Sequence, residues 1–400
     1  MIKAYKYRLN PTATQRDFFE RSFGCVRFVY NWALDRRVKA YQTDKTRLSW
    51  VDICKSLTAL KKEQDTIWLN EVSNQSLQSS IRNMDAAFTR FFREKKGFPK
   101  FKSKHGSRQA FQYVQQVKID FEAHKVYLPK AGWVRFFKNR EFEGKIGTTT
   151  VSKTATGKYF VSILVDDGKD KPAKAQIAEE TAVGIDVGIK SFAVLSDGTV
   201  IENPKYLEKA ETRLKVLQRR LAKKQKGSKR RERARKAVAR QYETVRNKRT
   251  DFLHQVTTRI VRENQTIIIE DLNVDGMLQN HCLAKHISSA SWNEFFRQLE
   301  YKCDWYGKNL IRIGRFEPSS KMCECGYINK ELTLKDRTWV CPECGRENNR
   351  DLLAAKNIKR FGLQKQNMIG IAPAGSGEGR VEQSALVGAM KREYTQDESE

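Results

Sequence analysis

Long apolar runs are missing from this 400-residue chain: none approaches the roughly 20 residues that a membrane-spanning helix needs. The opening MIKAYKYRL also lacks the apolar core of a secretory signal, so spanning and secreted classes are excluded and a cytoplasmic location is expected. Acids are scarce. Asp and Glu number 47 against 76 Lys and Arg, a net charge of +29 that lies far outside the small charges of ordinary soluble enzymes and calls for a polyanionic partner. Histidine is sparse too. His105, His124, His254, His281 and His286 form neither a metal pair nor an evident nucleophile dyad, which argues against histidine-based hydrolysis. What is present suffices for packed cores: 39% hydrophobic and 10% aromatic residues mark a folded chain, not a disordered basic tail. At about 150 residues per domain, two or three domains are expected. Eight cysteines is an ordinary number, and a reducing compartment argues against disulfides; four of them crowd into residues 323 to 344, which points to metal.

The first nine residues alternate apolar and basic side chains and read as one strand. Asn10-Pro11-Thr12 starts a helix over 14 to 41, and two more helical segments follow at 49 to 62 and 73 to 93. Pro99 ends this block within Lys95-Lys96-Gly97-Phe98-Pro99-Lys100-Phe101-Lys102, where aromatics interleaved with Lys suit a nucleic-acid surface. Short β segments at 126 to 129, 132 to 137, 148 to 154 and 159 to 165 fit a small β-barrel that the N-terminal strand joins, and 168 to 179 reads as a linker. After a strand pair, 205 to 249 is a basic helical hairpin broken at Gly227-Ser228, with only Glu208, Glu211, Glu232 and Glu243 among its cations. A solvated charged face would intersperse acids, so nucleic-acid contact is expected through Lys223, Lys224, Lys226, Lys229, Arg230 and Arg231. Arg27, Lys95, Lys96, Lys100 and Lys102 are the next candidates. Residues 252 to 262 continue helical, 266 to 272 is a buried strand, 291 to 306 is an amphipathic helix, and the Gly-, Ala- and Ser-rich end is expected to be disordered.

Asp186 interrupts the apolar strand Val183-Gly184-Ile185-Asp186-Val187-Gly188-Ile189, and Glu270 closes Ile267-Ile268-Ile269. Burying a carboxylate unpaired costs several kcal/mol, so each requires a cation or hydrogen-bond donor. Alone, each also fits an ordinary strand-end acid, and Asp351 fits a helix N-cap. Three acids from two strands and a helix start can nevertheless converge at one sheet edge and clamp a pair of hard divalent ions about 4 Å apart, which in a chain of charge +29 implies phosphodiester hydrolysis. Cys323-Glu324-Cys325-Gly326 and Cys341-Pro342-Glu343-Cys344-Gly345 form two Gly-followed knuckles, the pattern of a zinc ribbon with closed S₄ coordination. The first knuckle has one spacer residue where two are usual, which is expected to strain it. Cys25, Cys54, Cys282 and Cys303 read as core or incidental.

In this order, GIDVGIK, the basic hairpin ending NKRTDFLHQ, IIIEDLNVDGM, SWNEFFRQLEYKCDWYG, RFEPSSKMCECG, RTWVCPECG and NRDLLAAKNI resemble TnpB, the insertion-sequence-encoded RNA-guided DNA nucleases regarded as ancestral to type V CRISPR effectors. RLNPTATQ, FVYNWAL and GFPKFKSK look like the family's N-terminal region, so the resemblance covers about residues 1 to 362. It implies a multidomain α/β fold: a split RNase H-like (RuvC) nuclease at 180–320 and 350–362 that includes the hairpin, and a zinc ribbon inserted at 321–349. It further implies a β-barrel (wedge) domain at 1–10 and 105–170 interrupted by a helical recognition bundle at 11–104, with a tail from 363. Family metal ligands fall on Asp186, Glu270 and Asp351, while Asp271 matches a position not used for metal. Implied cofactors are two Mg²⁺ or Mn²⁺ ions, one structural Zn²⁺ and a guide RNA from the transposon end. The implied activity is RNA-guided cleavage of double-stranded target DNA beside a short adjacent motif, in a prokaryotic, nucleoid-associated setting with no membrane partner. Base pairing then reads sequence while the protein supplies charge and shape. The rivals are a catalytically weak or inactive RNA-guided repressor, which the intact acids oppose, and a DNA transposase acting directly on element ends, or an accessory protein to one, for which the transposase activity would need no bound RNA. The chain departs from the family's usual DRDxNAA, since NRDLLAA lacks the leading Asp and the following Asn.

Overall fold

The computed structural model describes residues 1–368 apart from 95–96, 105–108, 282, 316 and 334–335. Lys95, Lys96, His105, Cys282 and the tail beyond 368 therefore lie outside the described residues. Residues 363 to 368, expected to belong to the tail, are instead helical, since the last helix runs to Met368. The chain divides into two compact units.

The first unit comprises Met1–Gln176, Pro204–Glu263 and Val274–Asn309. Its centre is a seven-stranded antiparallel sheet in the order Gln109–Tyr113, Lys145–Lys153, Tyr159–Asp166, Ile2–Asn10, Gly132–Phe137, Lys125–Leu128, Lys118–Asp120. The N-terminal strand does join it, as its period-two pattern requires: Tyr7 and Leu9 are buried while Lys6 and Arg8 are not. Two strands escaped the sequence reading, Gln109–Tyr113 and Lys118–Asp120, because QAFQY and KID carry too few apolar residues to show alternation. Between the first strand and this late one are inserted the helices Ala13–Asp44, Trp50–Leu60 and Asn74–Arg93. The first opens on a capping box, with Thr12 and Gln15 each accepting from the other's backbone N–H. Its buried face (Phe18, Phe19, Phe23, Val26, Val29) shares one core with Leu77, Ile81, Met84 and Phe88 of Asn74–Arg93 and with Phe111 of the sheet.

The hairpin forms as expected, from Tyr206–Ala222 and Lys229–Glu263 with Gly227 at φ +84° in the turn. The stretch 252–262 is the end of the same 35-residue helix. The hairpin, expected with the nuclease segment 180–320, groups instead with the seven-stranded sheet unit. Polar ties join the two: Glu243 accepts from Lys158 Nζ at 2.9 Å and from Thr156 Oγ1 at 3.3 Å, and Arg235 donates to the Ala155 carbonyl. Helix Trp292–Tyr306 packs along the far end of the long helix, where Thr257 Oγ1 donates to Gln298 at 3.0 Å.

The second unit comprises Ile177–Asn203, Asn264–Asn273 and Leu310–Glu400. A five-stranded mixed sheet runs Val200–Glu202, Ser191–Leu195, Ala182–Val187, Thr266–Glu270, Asn309–Ile313, with Ala182–Val187 antiparallel to Ser191–Leu195 and parallel to Thr266–Glu270. Against it lies the C-terminal helix Arg350–Met368. Two glycines permit the close approach: a side chain at Gly184 would run into the backbone of Ala355 and Lys359, and one at Gly362 into Ile268. A two-stranded ribbon, Thr338–Val340 with Glu347–Asn349, leads directly into that helix.

Candidate functional site

Strand register brings two of the three predicted acids together. Ile269 pairs with Ile185 across parallel strands, so Glu270 stands beside Asp186 at the carboxyl ends of both. Side chains alternate faces along a strand, and Gly184 and Ile268 face the C-terminal helix; Asp186 and Glu270 are two residues further on and so share that face. Asp351 enters from the second residue of that helix. Its ordinary reading as N-cap is excluded, because Asn349 Oδ1 accepts the Leu352 N–H at 3.1 Å and does the capping itself.

The electrostatics register this convergence. Burial pushes the Asp186 carboxyl up to about 8, with the negative charges of Glu270 and Asp351 adding to the shift and Arg350 opposing it. Asp186 keeps some contact with solvent at its rim, but protein surrounds most of it. Burial also raises Glu270, which is partly offset by the Ser319 hydroxyl donating to its Oε1 at 2.6 Å. Buried Asn357 fixes that hydroxyl's segment by donating to the carbonyls of Ser319 and Met322 at 2.7 and 2.6 Å. Ser319 and Asn357 were missed, since a serine in EPSSK and an asparagine inside a helix carry no sequence signal for a carboxylate. Asp271, expected to stand outside the site, faces Arg315 Nη2 at 3.1 Å and is satisfied there. Asp351 pairs with Arg337 at 3.3 Å.

A site that gathers charge of one sign works against the fold that holds it. Asp186 has a folded pKa near 8 against about 3.9 unfolded. Its protonated form is favoured in the fold, so stability is fully present below about pH 4 and is lost as pH rises through 8. Asp186→Asn should therefore raise the stability of divalent-free protein at pH 8 by about 1 kcal/mol or more, with the gap closing toward pH 4. Melting curves at the two pH values check this; an equal or lower melting point for the variant at pH 8 would contradict the strained carboxylate cluster.

The four predicted cysteines meet as well. Their Sγ atoms all lie within 4.8 Å of one another, with Cys323 to Cys344 at 3.7 Å and Cys325 to Cys341 at 3.6 Å. Tetrahedral thiolates 2.3 Å from one ion stand about 3.8 Å apart, so the donor set fits zinc. The strain expected of the short knuckle is absent from its hydrogen bonding: Cys323 N–H donates to the Tyr327 carbonyl at 2.8 Å, as Cys341 N–H does to Arg346 at 2.9 Å. The missing residue shortens the loop from four positions to three without opening its base, and Gly326 at φ +102° makes the tighter turn possible. Buried Asn348 donates Nδ2 to the Cys323 sulfur at 3.6 Å. Among the described residues these four cysteines form the one group of three or more His, Cys, Asp or Glu ligand atoms close enough together to hold a single ion. Of the other cysteines, Cys25 and Cys303 are buried and burial raises both thiols, as suits core residues.

On the hairpin, Lys223, Lys224, Lys226, Lys229 and Arg230 are exposed. Arg231 is not free in the same way: its Nη1 donates to the Leu221 and Lys224 carbonyls at 3.0 and 2.8 Å and closes the turn. Each of the four hairpin acids is engaged, Glu208 with His286, Glu211 with Lys215 and Lys285, Glu232 with Arg235 and Glu243 with Lys158. The acids thus fasten the hairpin and leave the tip cationic. Arg27, half-buried, lines a cleft of about 1090 Å³ together with Arg8, Arg16, Lys153, Lys158 and Arg235. The strand and long-helix contributions to this cleft were not anticipated, because lysines and arginines spaced across four elements leave no local pattern. Lys100 is exposed, and Lys102 places Nζ over the Tyr30 ring at 3.6 Å.

A family model described as "Probable transposase" matches residues 162–281, one described as "Cas12f1-like, TNB domain" matches 292–358, and one described as "Helix-turn-helix domain" matches 1–46. Within the last, the structure has a strand and then one continuous helix, Ala13–Asp44. A Streptomyces pristinaespiralis protein named "Putative RNA-guided DNA endonuclease" is 41% identical over 365 residues, covering 90% of this chain and 89% of that one. An Escherichia coli K12 relative of the same description, InsQ, is 32% identical over 376 residues and covers 90% and 92%. The cryo-EM structure of a Cas12f1-sgRNA-target DNA complex aligns with a TM-score of 0.55 at 16% identity, over 87% of this chain and 83% of that chain. That likeness is one of fold, a multidomain α/β architecture. No helix of the described residues is long and apolar enough to cross a membrane.

Proposed function

This chain belongs to the TnpB family of RNA-guided DNA endonucleases, and from that premise we propose that it cleaves target DNA by divalent-metal-dependent phosphodiester hydrolysis at Asp186, Glu270 and Asp351. The observation that carries the reading is the convergence of three acids, Asp186 and Glu270 on adjacent parallel strands and Asp351 at the start of the helix laid against them, where burial pushes the Asp186 carboxyl up to about 8. Such an arrangement is costly unless a cation completes it. Two Mg²⁺ or Mn²⁺ ions held there would supply the activation of water and the charge stabilisation that phosphodiester hydrolysis requires. The protein's own part is to hold three oxygen donors at one sheet edge, with Ser319 fixing the orientation of Glu270. Cys323, Cys325, Cys341 and Cys344 hold a structural Zn²⁺, and their sulfur spacing supports that assignment.

The first unit takes the nucleic acid. Its seven-stranded sheet serves as the wedge barrel of 1–10 and 105–170, and the helices of 11–104 as the recognition bundle. A guide RNA transcribed from the transposon end lies along the cationic hairpin and cleft, and the guide pairs with one strand of a double-stranded target beside a short motif. The setting is a prokaryotic cytoplasm, at the nucleoid. RNA co-purifying from the native host tests the reading: sequencing should return a transcript of one element end, and a mixture with no common transcript would overturn the guide.

The hairpin assignment makes its own prediction. Each Lys or Arg that neutralises a phosphate releases a condensed counterion. Neutralising Lys223, Lys224, Lys226, Lys229 and Arg230 together should weaken guide binding and flatten the slope of log affinity against log salt by roughly 0.7 to 0.9 for each phosphate that no longer meets a cation. Arg231→Gln should instead lower the hairpin's stability, since its guanidinium closes the turn. An unchanged slope in the five-fold variant would move the nucleic-acid path to the cleft around Arg27 and to Lys100 and Lys102.

A further inference from the structure

Of the three carboxylates, Asp351 is the one that already has a cation. Arg337 Nη1 lies 3.3 Å from its Oδ1, whereas no ion pair within 4 Å is seen for Asp186 or Glu270 among the described residues, and Glu270 takes a neutral hydroxyl, Ser319, instead. An ordinary exposed Arg–Asp pair contributes little, and both of these side chains are partly exposed. What separates this pair from that class is how it is delivered. Arg337 immediately precedes the ribbon strand Thr338–Val340, whose ladder pairs Thr338 with Asn349. The Arg350 N–H donates to the Arg337 carbonyl at 2.8 Å, so the backbone of residue 337 is fixed opposite the residue before Asp351. Arg350 itself turns its guanidinium to the Thr333 carbonyl at 2.7 Å. Trp339 and Leu353 lie in one small core with Cys323 and Cys341, which holds strand and helix start together. The backbone on both sides of the pair is therefore anchored, so an exposed guanidinium is carried to the carboxylate read as the third metal ligand from a fixed base.

We infer that Arg337 is a displaceable counter-cation of the metal site: it holds Asp351 in place before a divalent ion arrives and must give up that carboxylate when one binds. The inference rests on the reading of Asp351 as a metal ligand. A positive charge at hydrogen-bond distance from a ligand oxygen both occupies the oxygen and repels a dication. Arg337 accordingly raises the divalent-ion concentration at which the site fills, and it acts as a positioning residue, through Asp351.

The direct test is Mn²⁺ binding to the full-length, zinc-loaded protein without nucleic acid, followed by the electron paramagnetic resonance signal of free Mn²⁺. Arg337→Ala should tighten binding by about three- to tenfold, and Arg337→Lys, which keeps the charge and loses the fork, should fall between it and wild type. A residue that merely supported the fold would weaken binding when removed, so tightening is the outcome specific to a counter-cation. Unchanged or weaker Mn²⁺ binding in a variant that still carries one zinc per chain overturns the inference. If Arg337→Ala loses zinc, Arg337→Gln, closer in size, takes its place under the same criterion. Asp351→Ala is measured alongside. Should that variant bind Mn²⁺ as wild type does, the metal-site reading itself fails, an outcome distinct from an unaltered affinity in the Arg337 variants alone.

Discussion

Replacing Asp186, Glu270 or Asp351 singly by Ala should lower target cleavage by about 10³-fold or more, a loss of about 4 kcal/mol or more of transition-state stabilisation, while guide and target binding change little. The separation follows from where the residues sit. Asp186 and Glu270 close adjacent parallel strands and Asp351 opens the helix laid against them, all in the second unit, whereas the exposed cations proposed to carry the guide belong to the first. Each substitution removes a carboxylate from the proposed cation site and removes no positive charge from the proposed phosphate path. Chelation of divalent ions should mimic the variants, and no two of them combined should be much worse than one, because a metal site with one donor missing has already lost its function. Ser319→Ala is predicted to be milder, since it loosens Glu270 without removing a donor. Cleavage assays with guide-loaded protein check the set. Near wild-type cleavage by Asp351→Ala would show that the third carboxylate has been misplaced.

The parts of this site legible in the sequence were those with an apolar background to stand out from. An acid in GIDVG or after III is conspicuous because a half-buried strand would otherwise be aliphatic, and four cysteines in 22 residues are conspicuous in a chain that has eight in all. The 3.6-residue pattern gave the helices of the first 100 residues, and the alternation of MIKAYKYRL gave the strand that proves central to the seven-stranded sheet. Short strands such as Val200–Glu202 and Asn309–Ile313 did not announce themselves, because three to five residues hold no measurable period. The hairpin's tie to the seven-stranded sheet was also hidden: Glu243 reaches Lys158 across 85 residues of sequence, and no local property of either residue foretells that pair. The same holds for Arg337 with Asp351. Linear order placed them fourteen residues apart on either side of a cysteine knuckle; the ribbon's register brings them together.

Loss of the ribbon's metal should have the widest consequences, because ribbon folding and metal binding are one event. Elemental analysis should find one Zn²⁺ per chain. Cys341→Ser, which alters a fully buried ligand, should remove it and destabilise the second unit by several kcal/mol, and Cys344→Ser should do the same. Cys54→Ser, far from the knuckles in sequence and in another unit, serves as the control that keeps its zinc. The effect should reach catalysis without passing through the nucleic-acid path. Strand Glu347–Asn349 runs without a break into the helix that carries Asp351, Asn349 caps that helix, and Leu353 packs into the core formed by Cys323, Cys341 and Trp339. A collapsed ribbon therefore releases the start of the helix, and with it the third carboxylate. Zinc-stripped protein should then cut slowly even at saturating Mg²⁺, yet still bind guide RNA with an unaltered salt slope. Zinc content near zero in carefully handled wild-type protein would show that the one-spacer knuckle Cys323-Glu324-Cys325 does not hold the ion, despite sulfurs placed 3.6 and 3.7 Å apart. Full cleavage by a zinc-free Cys341→Ser variant would show instead that the helix start is held by its sheet contacts at Gly184 and Gly362 alone.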